Sequence, residues 1–259
     1  MNKEVFMKIL GKTTWMLFAA IMLALSADAV AGRRVLFIGD SVTDGGWGRS
    51  TGLMKSTKER NHKDLNHIYG HSYMMLCAAY FESLYPEEQT AFMNRGVSGD
   101  DIARLEARWQ EDAVELKPDV LSLLIGTNDV SYHLEKHAGE TFDAKAWEQR
   151  YRRLLDQVRE ANPEVRFILG TPFAAKVGKV GSADNYGERQ RLLREVTEAV
   201  CRIASDYDAV LLRYDILFAA QEKEHPTVPA SHWIWDGIHP TAAGHQLMAN
   251  LWIAKFIGL

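Results

Sequence analysis

The chain has 259 residues with 30 basic against 34 acidic side chains, a formal charge of −4, 47% hydrophobic content and only two cysteines. An acidic balance offers nucleic acid no electrostatic footing, and two cysteines do not make a disulfide framework. The length fits one α/β domain with a full core.

At the N-terminus Lys3, Lys8 and Lys12 precede the apolar run Trp15 to Leu25, and the small residues Ala29-Val30-Ala31 follow. That order is expected of a secretory signal peptide. The run is shorter than the ~20 residues a membrane-spanning helix needs. No cysteine follows it for lipid attachment, so no stable membrane anchor is expected once it is removed. Placing cleavage near Ala31 divides the chain into a signal, 1–31, and one domain, 32–259, in a periplasmic or extracellular location. Without three lysines and two acids, 27 basic side chains then face 32 acidic ones, a charge of about −5.

Val35 to Ile38 is a run of large apolar residues without alternation, as in a parallel strand covered on both faces. It ends in Gly39-Asp40-Ser41, and the C-terminal ends of such strands are where open α/β sheets bind ligands. Alone, this tripeptide reads as a plain turn far more often than as a catalytic motif. A long polar loop follows, Gly45 to Asn66. Its glycines do not match G-x-G-x-x-G, and no acidic residue ends the second strand, so no dinucleotide cofactor is expected. His67 and His71 stand one helical turn apart, but no carboxylate or cysteine completes a metal set, and no metal is expected.

Gly70 to Leu84 carries apolar residues at helical spacing until Pro86 stops it. A second strand, Thr90 to Met93, leads into Asn94-Arg95-Gly96-Val97-Ser98-Gly99-Asp100-Asp101. Ser98 or Asp100 is expected to cap the next helix, whose inward face is Ile102, Leu105, Trp109, Ala113 and Leu116. Asp119 to Ile125 is a third buried strand ending in Gly126-Thr127-Asn128-Asp129. There the Asn128 amide can donate to an anionic oxygen or simply form a turn. A helix over 143–160, a strand Val165 to Leu169, a loop Pro172 to Tyr186, a helix 187–205 and a strand Ala209 to Leu212 complete the alternation. The fold class is therefore a single doubly wound parallel sheet of about five strands with helices on both faces. Cys77 and Cys201 both fall in apolar helical patterns, which reads as two buried free thiols, with one bridge as the alternative.

Near the C-terminus, Asp236 and His239 lie three residues apart in Trp233-Ile234-Trp235-Asp236-Gly237-Ile238-His239, ahead of a helix capped at or near Thr241. A carboxylate can hold an imidazole in one tautomer while its other nitrogen takes a proton from a serine. His245 competes for that role, but it falls inside the helix, where packing or solvent exposure is expected.

With Gly39-Asp40-Ser41, Gly99, Gly126-x-Asn128-Asp129 and Asp236-x-x-His239 present in that order, the chain resembles the SGNH, or GDSL-like, hydrolases, from about Val35 to the C-terminal helix. Val42 stands where a leucine is common. The resemblance implies a flavodoxin-like fold, Ser41 as nucleophile, His239 as base and then acid, and Asp236 as its orienting partner. It further implies an oxyanion hole from the amides of Ser41 and Gly99 and the side chain of Asn128, with no metal or cofactor. The chain looks most like secreted bacterial carbohydrate esterases acting on acetylated oligosaccharides or polysaccharides. For such a substrate Trp47, Trp233 and Trp235 would supply sugar-binding faces, the alternative being core packing for Trp233 and Trp235 and a loop anchor for Trp47. A lysophospholipase or thioesterase with the same mechanism and an inactive sugar-binding protein are the rival readings.

Overall fold

A computed structural model describes residues 32–49 and 56–259. The signal reading of residues 1–31 lies outside the described residues. Five parallel strands form one sheet: β1 (Arg34–Gly39), β2 (Ala91–Gly96), β3 (Val120–Leu124), β4 (Arg166–Gly170) and β5 (Val210–Leu212), in the spatial order β2-β1-β3-β4-β5. The order reverses between β1 and β3, and the crevice beyond the carboxyl ends of strands at such a point is where this architecture binds ligands. Register places Gly39 of β1 beside Gly96 of β2 and Leu124 of β3. The loops carrying Ser41, Gly99 and Asn128 therefore leave the sheet side by side.

Because successive side chains point to opposite faces, β1 serves two cores. Leu36 and Ile38 join one with Trp109, Leu154 and Leu192, while Val35 and Phe37 join the other with Met74, Phe81 and Trp252. The first core is roofed by α3 (Ile102–Trp109), α5 (Ala144–Ala161) and α7 (Tyr186–Asp206); α4 (Thr127–Lys136) follows β3. The second lies under α2 (Tyr73–Leu84), α8 (Tyr214–Glu224) and α9 (Ala242–Phe256). A single turn, α1 (Ser41–Asp44), follows β1, and α6 (Gly178–Ser182) interrupts the loop after β4. Trp252 donates its indole N–H to Ser122 Oγ at 3.0 Å, so the one hydroxyl in the middle of β3 is matched inside the core.

Local expectations shift in three places. Asp101, not Ser98 or Asp100, caps α3, accepting from the Arg104 amide at 2.9 Å, because Asp100 is drawn to the Arg108 guanidinium at 2.7 Å. His67 and His71 lie in turns ahead of α2, so the helical spacing that paired them does not apply; His67 faces the Asp64 carboxylate instead. Both cysteines are free, but only Cys77 is buried; Cys201 on α7 is half-buried. Among the described residues no helix is long and apolar enough to cross a membrane.

Candidate active site

Ser41 begins α1, where the chain turns sharply out of β1. The turn is tight enough that a Cβ on Gly39 would stand 2.2 Å from the Leu124 carbonyl oxygen, so only glycine fits. Asp40 caps the turn by accepting from the Val42 amide at 2.9 Å. Burial of its carboxyl pushes its pKa up to about 7, the Val42 amide and His239 oppose that rise, and the neighbouring Asp100 and Asp44 reinforce it.

The last block of sequence folds back to meet this turn. His239 Nε2 lies 2.8 Å from Ser41 Oγ, and Nδ1 lies 2.7 Å from Asp236 Oδ2. The other oxygen, Oδ1, accepts the amides of Ile238 at 2.9 Å and His239 at 2.8 Å. Partial burial alone would raise the Asp236 pKa. The His239 amide, its imidazole and the Ile238 amide outweigh burial and hold it below the ordinary aspartate value. An ionised carboxylate fixes the proton on Nδ1 and leaves Nε2 bare to accept from Ser41. His239 and Asp236 side chains are 39% and 30% exposed, so the arrangement opens directly to solvent. The loop after β4 backs it: Ala175 donates its amide to the Gly237 carbonyl at 2.9 Å.

The remaining predicted groups lie in the loops after β2 and β3, which leave the sheet beside the β1 turn. Asn128, the second residue of α4, donates its side-chain amide to the Asp100 carbonyl at 2.9 Å, which pins the side chain and leaves a second amide hydrogen. The Gly99 carbonyl accepts the Tyr132 hydroxyl at 2.9 Å and Arg104 at 3.4 Å, fixing the turn. Among the described residues no group accepts from the backbone amide of Ser41 or of Gly99. Free donors beside a nucleophile are what a developing oxyanion requires.

The tryptophans divide. Trp47 is wholly buried, donates its indole N–H to the Gly96 carbonyl at 2.8 Å, and stacks with the guanidinium groups of Arg60 and Arg95. It has no face to offer a sugar, contrary to expectation, because the loop after α1 folds inward around it. Trp233 is half-buried and packs edge-on against His232, so it too serves the loop. Trp235 is 62% exposed, and its amide donates to the His239 carbonyl at 3.0 Å, so an open indole is carried on the backbone segment that holds the catalytic histidine. His245 packs rather than competes: it accepts the Tyr73 amide at 3.1 Å.

Sequence reasoning missed Asp44, Arg60 and Asn94. The Asn94 amide group donates to the carbonyls of Thr43, Asp44 and Tyr69, while its oxygen accepts the Gly96 amide. The Asp44 carboxylate forms a buried ion pair with Arg60. An acid three positions after Ser41 and an arginine in a polar loop carry no pattern that links them in one sequence.

The profile of the GDSL-like Lipase/Acylhydrolase family matches residues 37–247. The chain is 30% identical over 228 residues to an acetylxylan esterase from Geobacillus stearothermophilus, covering 87% of this chain and 94% of that protein. A crystal structure of that esterase superposes with a TM-score of 0.68 at 29% identity over 89% of this chain and 96% of its own. A GDSL-like lipase structure from Parabacteroides merdae gives 0.71 at 28% identity, with 87% and 95% covered. Structures of the Geobacillus enzyme described as catalytic mutants replace a serine, an aspartate and a histidine by alanine, the last two three positions apart, the spacing of Asp236 and His239 here.

Proposed function

The chain belongs to the GDSL-like lipase/acylhydrolase family and is a carboxylic ester hydrolase; from that premise we propose that it removes acetyl groups from carbohydrate esters through an acyl-enzyme on Ser41. The observation that carries the mechanism is the continuous chain of hydrogen bonds from Ser41 Oγ through His239 to Asp236. In the first half-reaction Oγ attacks the ester carbonyl carbon while Nε2 takes its proton, and the carbonyl π pair moves onto oxygen. The amides of Ser41 and Gly99 and the free hydrogen of Asn128 receive that charge. Collapse expels the sugar alkoxide, which takes the proton from His239. Water then repeats the sequence against acetyl-Ser41 and releases acetate. No step calls for a metal or cofactor.

The substrate reading rests on the surroundings. Ser41 and His239 are half-exposed, the loops Gly45 to Asn66 and Pro172 to Tyr186 lack an apolar run to line a fatty-chain groove, and the backbone of Trp235, whose indole is exposed, is hydrogen-bonded to that of His239. The esterase that this chain resembles along almost its whole length acts, by its name, on acetylated xylan. The export signal read in residues 1–31 would place the enzyme where polysaccharide fragments arrive. No role is proposed for Trp47 or Trp233 in sugar contact.

The test is a chain-length series of nitrophenyl esters beside acetate release from acetylated xylan and pectin. A fatty-chain groove would add about 0.8 kcal/mol per buried methylene, so efficiency would climb from acetate to octanoate. We expect it to fall, with acetate released from an acetylated glycan. Higher efficiency on octanoate with no acetate from any glycan would replace this reading by the lysophospholipase one.

A further inference from the structure

The Asp44 carboxylate receives five donors from three separate segments. Oδ1 accepts Arg60 Nη1 at 2.5 Å and the Gly46 amide at 3.2 Å; Oδ2 accepts Arg60 Nη2 at 3.1 Å, the Ser98 amide at 2.8 Å and the Ser98 hydroxyl at 2.7 Å. The side chains of Asp44 and Arg60 are 2% and 0% exposed, so neither salt nor water competes with the pair. Asp44 ends the same helical turn that Ser41 begins. Ser98 supplies the carbonyl half of the peptide whose nitrogen is Gly99 N. One side chain therefore ties the nucleophile turn to the peptide that carries the second free amide. The fit is close on the backbone side as well, since a Cβ on Gly96 would stand 2.4 Å from the Asp44 nitrogen.

We propose that Asp44 is a positioning residue that sets the separation of the Ser41 and Gly99 amides, so that both reach one oxyanion; this rests on the serine mechanism above. Residue type matters here. An ionised carboxylate is acceptor-only, with about four lone-pair directions, and can take guanidinium, amide and hydroxyl donors together. Asparagine would turn an NH₂ toward a donor. Stability alone does not call for a buried ion pair, because a well-packed apolar pair of similar volume is commonly as stable. An ionic hub bridging two loops of the site does serve geometry, and shifts of about 1 Å in catalytic geometry cost on the order of 10²-fold in rate.

Three readouts on the full-length enzyme separate positioning from simple loop fastening: kcat and KM for nitrophenyl acetate, affinity for methylboronic acid, and urea unfolding. Ser41 Oγ adds to the boron, forming a B–O bond and a tetrahedral anion, while its proton passes to His239. Asp44→Asn is expected to lower kcat by about 10- to 100-fold and boronate affinity by a similar factor, with KM within about threefold, as for a loss confined to the transition state. Because Asp44→Asn removes the carboxylate charge paired with the buried Arg60, the double variant Asp44→Asn with Arg60→Met is the companion. It should regain stability while kcat and boronate affinity stay low. Recovery of kcat together with stability, or undiminished boronate binding in Asp44→Asn, overturns the proposal. Absence of a boronate adduct in the unsubstituted enzyme would instead remove the Ser41 reading and this inference with it.

Discussion

The His245 imidazole accepts the amide of Tyr73 at 3.1 Å, so the first N–H of α2 is capped by a side chain from α9. Ser72, in the usual capping position, makes no such bond, because its hydroxyl donates to the Thr43 carbonyl at 2.8 Å. A ring nitrogen that accepts must be unprotonated. Burial first, and then the nearby His71 and His239, together lower the His245 pKa to about 4.

The first prediction follows from that neutral cap. Between about pH 6.5 and 4 the unfolded chain binds a proton at His245 that the folded chain does not, so stability should fall as pH falls through this window. Urea unfolding from pH 7.5 to 4 measures it, and His245→Gln should flatten the slope. An unchanged slope in the variant would mean the imidazole is not held neutral.

Asp40 should behave with the opposite sign. Its folded pKa of about 7 lies above the ordinary aspartate value, so its contribution is full below about pH 4 and is lost as pH rises toward 7. Asp40→Asn keeps an acceptor for the Val42 amide without a charge to bury. The variant is expected to gain stability relative to the parent at pH 8 and to show little gain at pH 4. An equal effect at both pH values would contradict a raised pKa.

Asn128 tests the oxyanion side alone. Since its amide is already pinned by Asp100, Asn128→Ala removes a donor without opening the triad. Loss of one such donor typically lowers turnover by roughly 10²- to 10³-fold. Steady-state kinetics on nitrophenyl acetate should show that loss in kcat with a much smaller change in KM. A raised KM with turnover intact would make Asn128 a ground-state contact.

Much of this architecture was legible because each strand is a short apolar run closed by glycine and small polar residues. β1 and β3 stand almost where Val35 to Ile38 and Asp119 to Ile125 place them. The Asp236 and His239 pair was legible because both partners lie within one turn of chain. Trp47 was misread for the reverse reason. Whether a tryptophan in a polar loop faces out or in depends on its neighbours, and those that bury it, Arg60 and Arg95, arrive from different segments. The Asp44 hub was invisible for the same cause, as its donors lie at Gly46, Arg60 and Ser98. Polar networks assembled by tertiary contact leave no period in the sequence.

The nucleophile is the claim on which everything else stands, and an organophosphate tests it most directly. With diethyl 4-nitrophenyl phosphate, Ser41 Oγ should form a P–O bond and expel nitrophenolate, and the ester should resist the water that clears an acetyl group. The account predicts about one nitrophenolate per active site, in the manner of an activated serine, together with complete loss of esterase activity. Peptide mass spectrometry should place the diethylphosphoryl group on Ser41, and Ser41→Ala should remain unlabelled and inactive. Esterase activity persisting in fully treated enzyme, a label on another residue, or a Ser41→Ala variant that still turns over would contradict it.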